Sequence, residues 1–167
     1  MKLSVLMNLY HDKNLDEVLA RMSELGIKTV EVGAGGYPGK DHCDPAELLA
    51  DEAKLEAFKA AFEKYGIEIC ALAVHGNPLH PQKDIAEMYD TDFKNAVLLA
   101  EKIGVDTVIT FSGCPGDCEN SIYPNWVTCA WPDDYMKILD WQWNEKVIPY
   151  WKKTGAFAKE HGVDHIA

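Results

Sequence analysis

Residues 102–114 read KIGVDTVITFSGC, and their order decides the fold. A helical stretch stops at a glycine, a β-branched residue follows, and an apolar strand runs on into a polar loop. The same phrase occurs as ELGIKTVEVGAGG (24–36), as KYGIEICALAVHGN (64–77) and, cut short, as EHGVDHIA (160–167). Gly26, Gly66, Gly104 and Gly162 each fall just past a helix, where a left-handed backbone closes the last turn without a Cβ clash. The repeat therefore spells helix stop, tight turn, strand. KLSVLMN (2–8) supplies an opening strand before the first helix.

Between these phrases the helices are legible. Asn14 with Glu17 is a capping-box start, followed by Leu15, Val18, Leu19, Met22 and Leu25 at helical spacing. Asp44-Pro45 with Glu47 marks a second start, with proline at the first helical position and an interruption near Asp51. Leu55, Phe58, Phe62 and Tyr65 continue that stripe. Thr91 precedes a third helix carrying Phe93, Ala96, Val97, Ala100 and Ile103. A fourth runs from Asp133 to His161, and Pro149 is expected to kink or divide it. The strands VLM, TVEV, ICALAV and TVITF are apolar nearly throughout, which predicts parallel strands buried on both faces.

Two architectures share this α/β alternation. A five-stranded doubly wound sheet suits the length of 167 residues. A TIM barrel uses eight (β/α) units, so this chain, read as one domain over 1–167, would supply about four units plus a truncated fifth strand: a half-barrel. Length alone favours the open sheet; the loops favour the half-barrel.

Composition narrows the partners. Hydrophobic residues make up 47% and charged residues 26%, the balance of a soluble globular domain. Sixteen basic against 27 acidic side chains give a formal net charge of −11. That excess argues against holding a nucleic-acid backbone and against an anionic membrane surface. No apolar run is long enough to span a bilayer, and MKLSVLMNLYHDKN lacks a signal-peptide layout. Cys43, Cys70, Cys114, Cys118 and Cys129 are odd in number and without framework spacing. Reduced thiols and a cytoplasmic setting are expected.

In either architecture the functional groups gather at the carboxyl ends of the strands. Those ends offer Asn8, then Glu31 with the GAGG run (33–36), then His75-Gly-Asn77-Pro-Leu-His80, then Ser112-Gly113. His75 closes an apolar run, and neutral imidazole there can ligate a metal, bind a sugar hydroxyl or shuttle a proton; a buried histidine satisfied by a carbonyl is the plainer alternative. Glu31 stands in an otherwise apolar strand, where a carboxylate needs a partner or a polar site. The GAGG run matches neither phosphate-loop pattern and reads as backbone flexibility. Cys114 and Cys118 lack a second ligand pair for zinc and read as loop cysteines. The long loop 113–132 exceeds an ordinary connector; its Trp126 and Trp131 offer flat faces for a sugar ring or small ligand. Trp143, Val147 and Trp151 share one helical stripe and read as packing.

MKLSVLMN, TVEVGAGGYPG, ALAVHGNPLHP, TFSGCPG and WNEKVIPYWKKTGAFAKEHGV together resemble the sugar phosphate isomerase/epimerase family, whose xylose-isomerase-like TIM barrel is shared with endonuclease IV. The resemblance runs along essentially the whole chain. It implies chemistry on a small sugar or sugar phosphate, with a divalent metal (Mn, Mg, Co or Zn) holding vicinal oxygens and two carboxylates moving a proton between carbons. In that family the metal ligands are Glu, Asp, His and Glu from the ends of strands five to eight. The resemblance therefore assigns this chain the substrate-contacting half of the mouth through Glu31, His75, Ser112 and Gly113, and the loop residues Asn77, His80 and Trp131 are expected to join them there. It assigns no catalytic pair, no metal ligand and no cofactor within the chain; His165 lies inside the fifth strand, not at its end. The chain alone is expected to be inactive and to self-associate through its exposed strand edges, two copies rebuilding a barrel about a two-fold axis. The alternative is a non-catalytic half-barrel module that binds a small polar ligand or self-assembles.

Overall fold

The computed structural model describes residues 3–167; Lys2, at the head of the expected first strand, lies outside the described residues. Among the described residues five strands form one sheet: β1 (Ser4–Leu6), β2 (Thr29–Gly33), β3 (Glu68–Ala73), β4 (Thr107–Ile109) and β5 (His165–Ile166). Their spatial order is the chain order and every pairing is parallel. A doubly wound sheet would reverse direction at a switch point. Here it does not, and the sheet is the sequential wall of a half-barrel.

The connecting helices are α1 (Leu15–Glu24), α2 (Pro45–Ala50), α3 (Glu52–Tyr65), α4 (Lys83–Ile103), α5 (Asp134–Trp141) and α6 (Ile148–Glu160). At the start of α1 Asn14 Oδ1 accepts from the Glu17 N–H, and Glu17 Oε2 accepts from the Asn14 N–H, both at 3.0 Å. Asp51 ends α2 and caps α3, accepting from the Ala53 and Lys54 N–H groups at 3.0 and 3.2 Å. The four repeat glycines have φ between +60° and +75°, and a Cβ at any of them would meet nothing. Backbone conformation alone accounts for glycine there.

Three helix and strand boundaries differ from expectation. The first strand stops at Leu6 and the chain curls into a 3-10 turn over Met7–Tyr10. Its Met7 is fully buried. Helix α4 starts at Lys83, eight residues before Thr91, and these added turns carry Tyr89 directly over Gly76: a Cβ on that glycine would lie 2.2 Å from the ring. The fourth helix divides, and the break precedes Pro149. Its turns widen into a π segment over Gln142–Val147, which moves the carbonyl of Glu145 out of the path of the proline ring four residues on.

Val18, Leu19 and Met22 of α1, Phe58 and Phe62 of α3, and Phe93, Val97 and Leu99 of α4 pack on Val30, Val32, Leu72, Val74 and Val108. That layer is the core. The opposite face of the sheet departs from the expectation of two buried faces. β2 and the second half of β3 are well covered, but Leu6, Thr107 and Ile109 are half-buried, and Phe111 is 52% exposed. These residues alternate with the core residues, so the concave inner face is largely open.

Candidate functional site at the mouth of the half-barrel

Glu31 lies between Val30 and Val32, both fully buried on the helix side, so pleat alternation sends its carboxylate to the inner face. His75 follows Val74, another helix-side residue, and faces the same way. Burial pushes the Glu31 carboxyl above the ordinary glutamate value, and the nearby His75 partly offsets the rise. Both residues are half-buried on the same face, where together they can donate to and accept from hydroxyl groups.

The backbone fixes His75 from two sides, although the β3 ladder ends at Ala73. The His75 carbonyl accepts from the Tyr37 N–H at 2.8 Å. The Val74 N–H donates to the Ile109 carbonyl at 2.8 Å, and the Val74 carbonyl accepts from Thr110 Oγ1 at 3.1 Å. The imidazole meets Phe111 edge-on, centroids 4.8 Å apart. Tyr37 lies 6.3 Å from Phe111 and 5.6 Å from Tyr89, completing an aromatic rim. Sequence reasoning passed over Tyr37 and Phe111. Phe111 follows His75 in the inward alternation of the next strand, and that was the available signal.

A cleft of about 440 Å³ opens beside this rim, lined by Tyr37, Asn77, Phe111, Ser112, Gly113 and Cys114 among others. The structure thus brings Asn77, Ser112 and Gly113 together. The Asn77 amide is heavily engaged: Nδ2 donates to the Cys114 carbonyl at 3.0 Å, and Oδ1 accepts from the Cys114 and Leu79 N–H groups at 2.9 and 3.2 Å. It ties the β3 loop to the β4 loop. Ser112 is exposed, and its carbonyl accepts from Trp151 Nε1 at 2.9 Å. Trp151, read from sequence as packing, also meets Phe93 edge-on and so joins the β4 loop to the core.

Two sequence candidates lie elsewhere. His80 Nδ1 accepts from the Gln82 N–H at 3.0 Å beside the start of α4, and His80 lines a separate pocket with Cys118, Glu119 and Trp141. Trp131 is 79% exposed in the long loop and lines none of these clefts. Trp126 packs edge-on against Trp143 at 5.4 Å, which occupies one face offered to a ligand. The loop itself is organised by Gln142, fully buried: Nε2 donates to the carbonyls of Gly116 at 2.7 Å and Asn125 at 3.2 Å, while Oε1 accepts from the Val127 N–H at 3.2 Å. Burial and Asp44 push the Cys43 thiol up to about 12, far from a reactive thiolate.

Among the described residues no three His, Cys, Asp or Glu side chains come together as a metal group. Glu31 and His75 alone do not fit a metal centre.

The sheet order, the helix layer on one side and the polar residues at the strand ends define half of a barrel with its mouth. The model of the xylose isomerase-like TIM barrel family matches residues 19–166. The chain belongs to that family. An uncharacterized protein of Bacillus subtilis, YfiH, is 35% identical over the whole chain, which spans 54% of that relative's length. Among solved structures, a Rhodospirillum rubrum protein provisionally assigned as a xylose isomerase superposes with a TM-score of 0.65 at 18% identity, over 99% of this chain and 53% of that one. The D-psicose 3-epimerase of Clostridium cellulolyticum, solved with D-tagatose, gives 0.55 at 14% identity, over 99% and 51%. The chain thus spans about half the length of the relatives it matches. Among the described residues no helix is long and apolar enough to cross a membrane.

Proposed function

We propose that this chain carries the substrate-contacting half of the mouth of a sugar isomerase or epimerase, acting on a small sugar or sugar phosphate in the cytoplasm. The convergence of Glu31 and His75 on the inner face, beside the cleft of Asn77, Ser112 and Gly113, supports this reading. Glu31 and His75 hold adjacent hydroxyls, and Phe111 and Tyr37 give an apolar rim for the C–H face of the sugar. The proton-moving carboxylates and any metal ligands of the complete enzyme come from outside these 167 residues, so the chain alone binds without turnover.

The test is a titration of D-tagatose, D-psicose and L-ribulose into the chain, followed by NMR, with a parallel epimerisation assay in added Mn²⁺. Selective shifts at His75, Ser112 and Gly113, lost in His75→Ala, with no turnover, are expected. Unmoved resonances with all three sugars would remove the binding reading, and turnover by the chain alone would remove the claim of inactivity.

A second reading concerns self-association. The accessible surface is 9498 Å², against about 8,300 Å² for a compact monomer of this mass. The surplus is on the scale of one side of a standard interface, about 800 Å² per partner. It accompanies an open inner face and the unpaired outer edges of β1 and β5. Two copies facing each other would cover it; a strictly monomeric mass by light scattering would count against this.

A further inference from the structure

The mouth residue His75 lies two positions beyond the last paired residue of β3, so strand pairing alone does not place it. The support comes from the loop after β2. That loop turns back on itself: the Gly35 N–H donates to the Gly39 carbonyl at 3.0 Å, and the Gly39 N–H donates to the Gly36 carbonyl at 3.2 Å. Its tip presses on His75, with Gly36 so close that a Cβ there would lie 2.0 Å from the His75 carbonyl oxygen. Tyr37, next in the chain, donates its N–H to that same oxygen.

One side chain holds both ends of the tip. Asp92, only 8% exposed on α4, accepts from the Gly36 N–H through Oδ2 at 3.0 Å and pairs with Lys40 Nζ through Oδ1 at 2.6 Å. A Cβ at Gly35 would fall 2.9 Å from the Asp92 side chain, so carboxylate and glycine run are fitted to each other. A buried carboxylate with both oxygens engaged is rigidly placed, and its charge-assisted bonds are the strong kind. The chain of contact runs from α4 through the GAGG run to the mouth.

We propose that Asp92 is a positioning residue: by clamping Gly36 and Lys40 it sets the backbone and imidazole of His75 at the mouth. This gives the glycine run a role other than phosphate binding, since the Gly36 N–H is already committed to a carboxylate. The functional meaning rests on His75 contacting the sugar; the geometry does not.

The experiment reads His75 directly. Phe111 stands edge-on to the imidazole, so its ring current shifts the His75 Hε1 resonance, and NMR of the whole chain reports that shift. Asp92→Ala is expected to abolish most of it and to broaden the Gly36 and Tyr37 amides. Asp92→Asn, which can still accept from Gly36 but no longer from Lys40, should restore part of the shift. Val97→Ala, a core truncation on the same helix, should leave it unchanged despite lost stability. If Asp92→Ala does not fold, Asp92→Glu replaces it, the longer side chain being unable to keep both contacts. An unmoved His75 resonance in the substituted chain, equal movement in Val97→Ala, or no rescue by Asp92→Asn would each overturn the proposal. These readouts need no bound sugar, so a failed sugar titration with a confirmed His75 shift would remove the functional reading and leave the clamp.

Discussion

The indole Nε1 of Trp151 on α6 donates to the main-chain carbonyl of Ser112 at 2.9 Å, across 39 residues of chain. The same ring packs edge-on to Phe93 at 5.6 Å and to Tyr150 at 5.0 Å. One side chain therefore couples a mouth loop to the helix layer. Trp151→Phe keeps an aromatic ring against Phe93 but removes the donor and part of the packed indole. The lost hydrogen bond accounts for about 0.5–1.5 kcal/mol and the lost packing adds to it, read by urea denaturation. Amide exchange over residues 112–116 should rise while that of β3 does not.

Gly36 and Gly66 share a left-handed backbone, with φ of +62° and +60°, yet differ in surroundings. A Cβ at Gly66 meets open space, whereas at Gly36 it overlaps the His75 carbonyl. Gly66→Ala should cost only the left-handed penalty, about 1–2 kcal/mol. Gly36→Ala adds a backbone collision and should be clearly more destabilising in paired melts. Equal costs would mean that the loop tip yields without strain.

Much of the fold was legible because it rests on local signals. The glycine stops, the Asn14–Glu17 box and the break at Asp51 are set within a few residues, and each holds in the structure. Long-range packing was harder to read. The first turns of α4 pack Tyr89 against Gly76, and no local signal near Thr91 contains that contact. Strand apolarity suggested two buried faces, but it cannot show whether the second face has anything against it. At the mouth, Glu31 and His75 were findable as polar residues in apolar runs. Asp92 and Gln142 were not, since each is one polar residue within a helix whose partners lie 15 or more residues away in the chain.

Gln142 is fully buried and bridges Gly116, Asn125 and Val127. Gln142→Leu keeps the volume but strands those backbone groups without partners. Leaving a buried polar group unsatisfied costs about 1–3 kcal/mol; the Gly116 carbonyl is the buried one, while Asn125 is exposed and Val127 half-buried, so the lower end is expected. Limited proteolysis should then cut within 113–132 faster than in the wild type, while cleavage elsewhere tracks global stability. Uniform acceleration across the chain would assign Gln142 to global stability and not to the loop.

Glu31 gives the mouth a pH signature whose sign follows from its surroundings. Burial raises its carboxyl above the ordinary value of 4.5, and His75 offsets part of the rise. The folded chain therefore holds this proton more tightly than the unfolded chain does. Its favourable contribution is present at acid pH and is lost as pH rises through the folded value, leaving a charged carboxylate against a partly apolar face at neutral pH. Glu31→Gln, neutral at every pH, should melt higher than the wild type at neutral pH. The advantage should shrink as pH falls through the raised folded value and be gone below 4.5, where the carboxyl is protonated in the unfolded chain as well. Parallel melting curves for wild type and Glu31→Gln across the acid range would show that Glu31 is fully solvated and that the inner face exerts no desolvation on it.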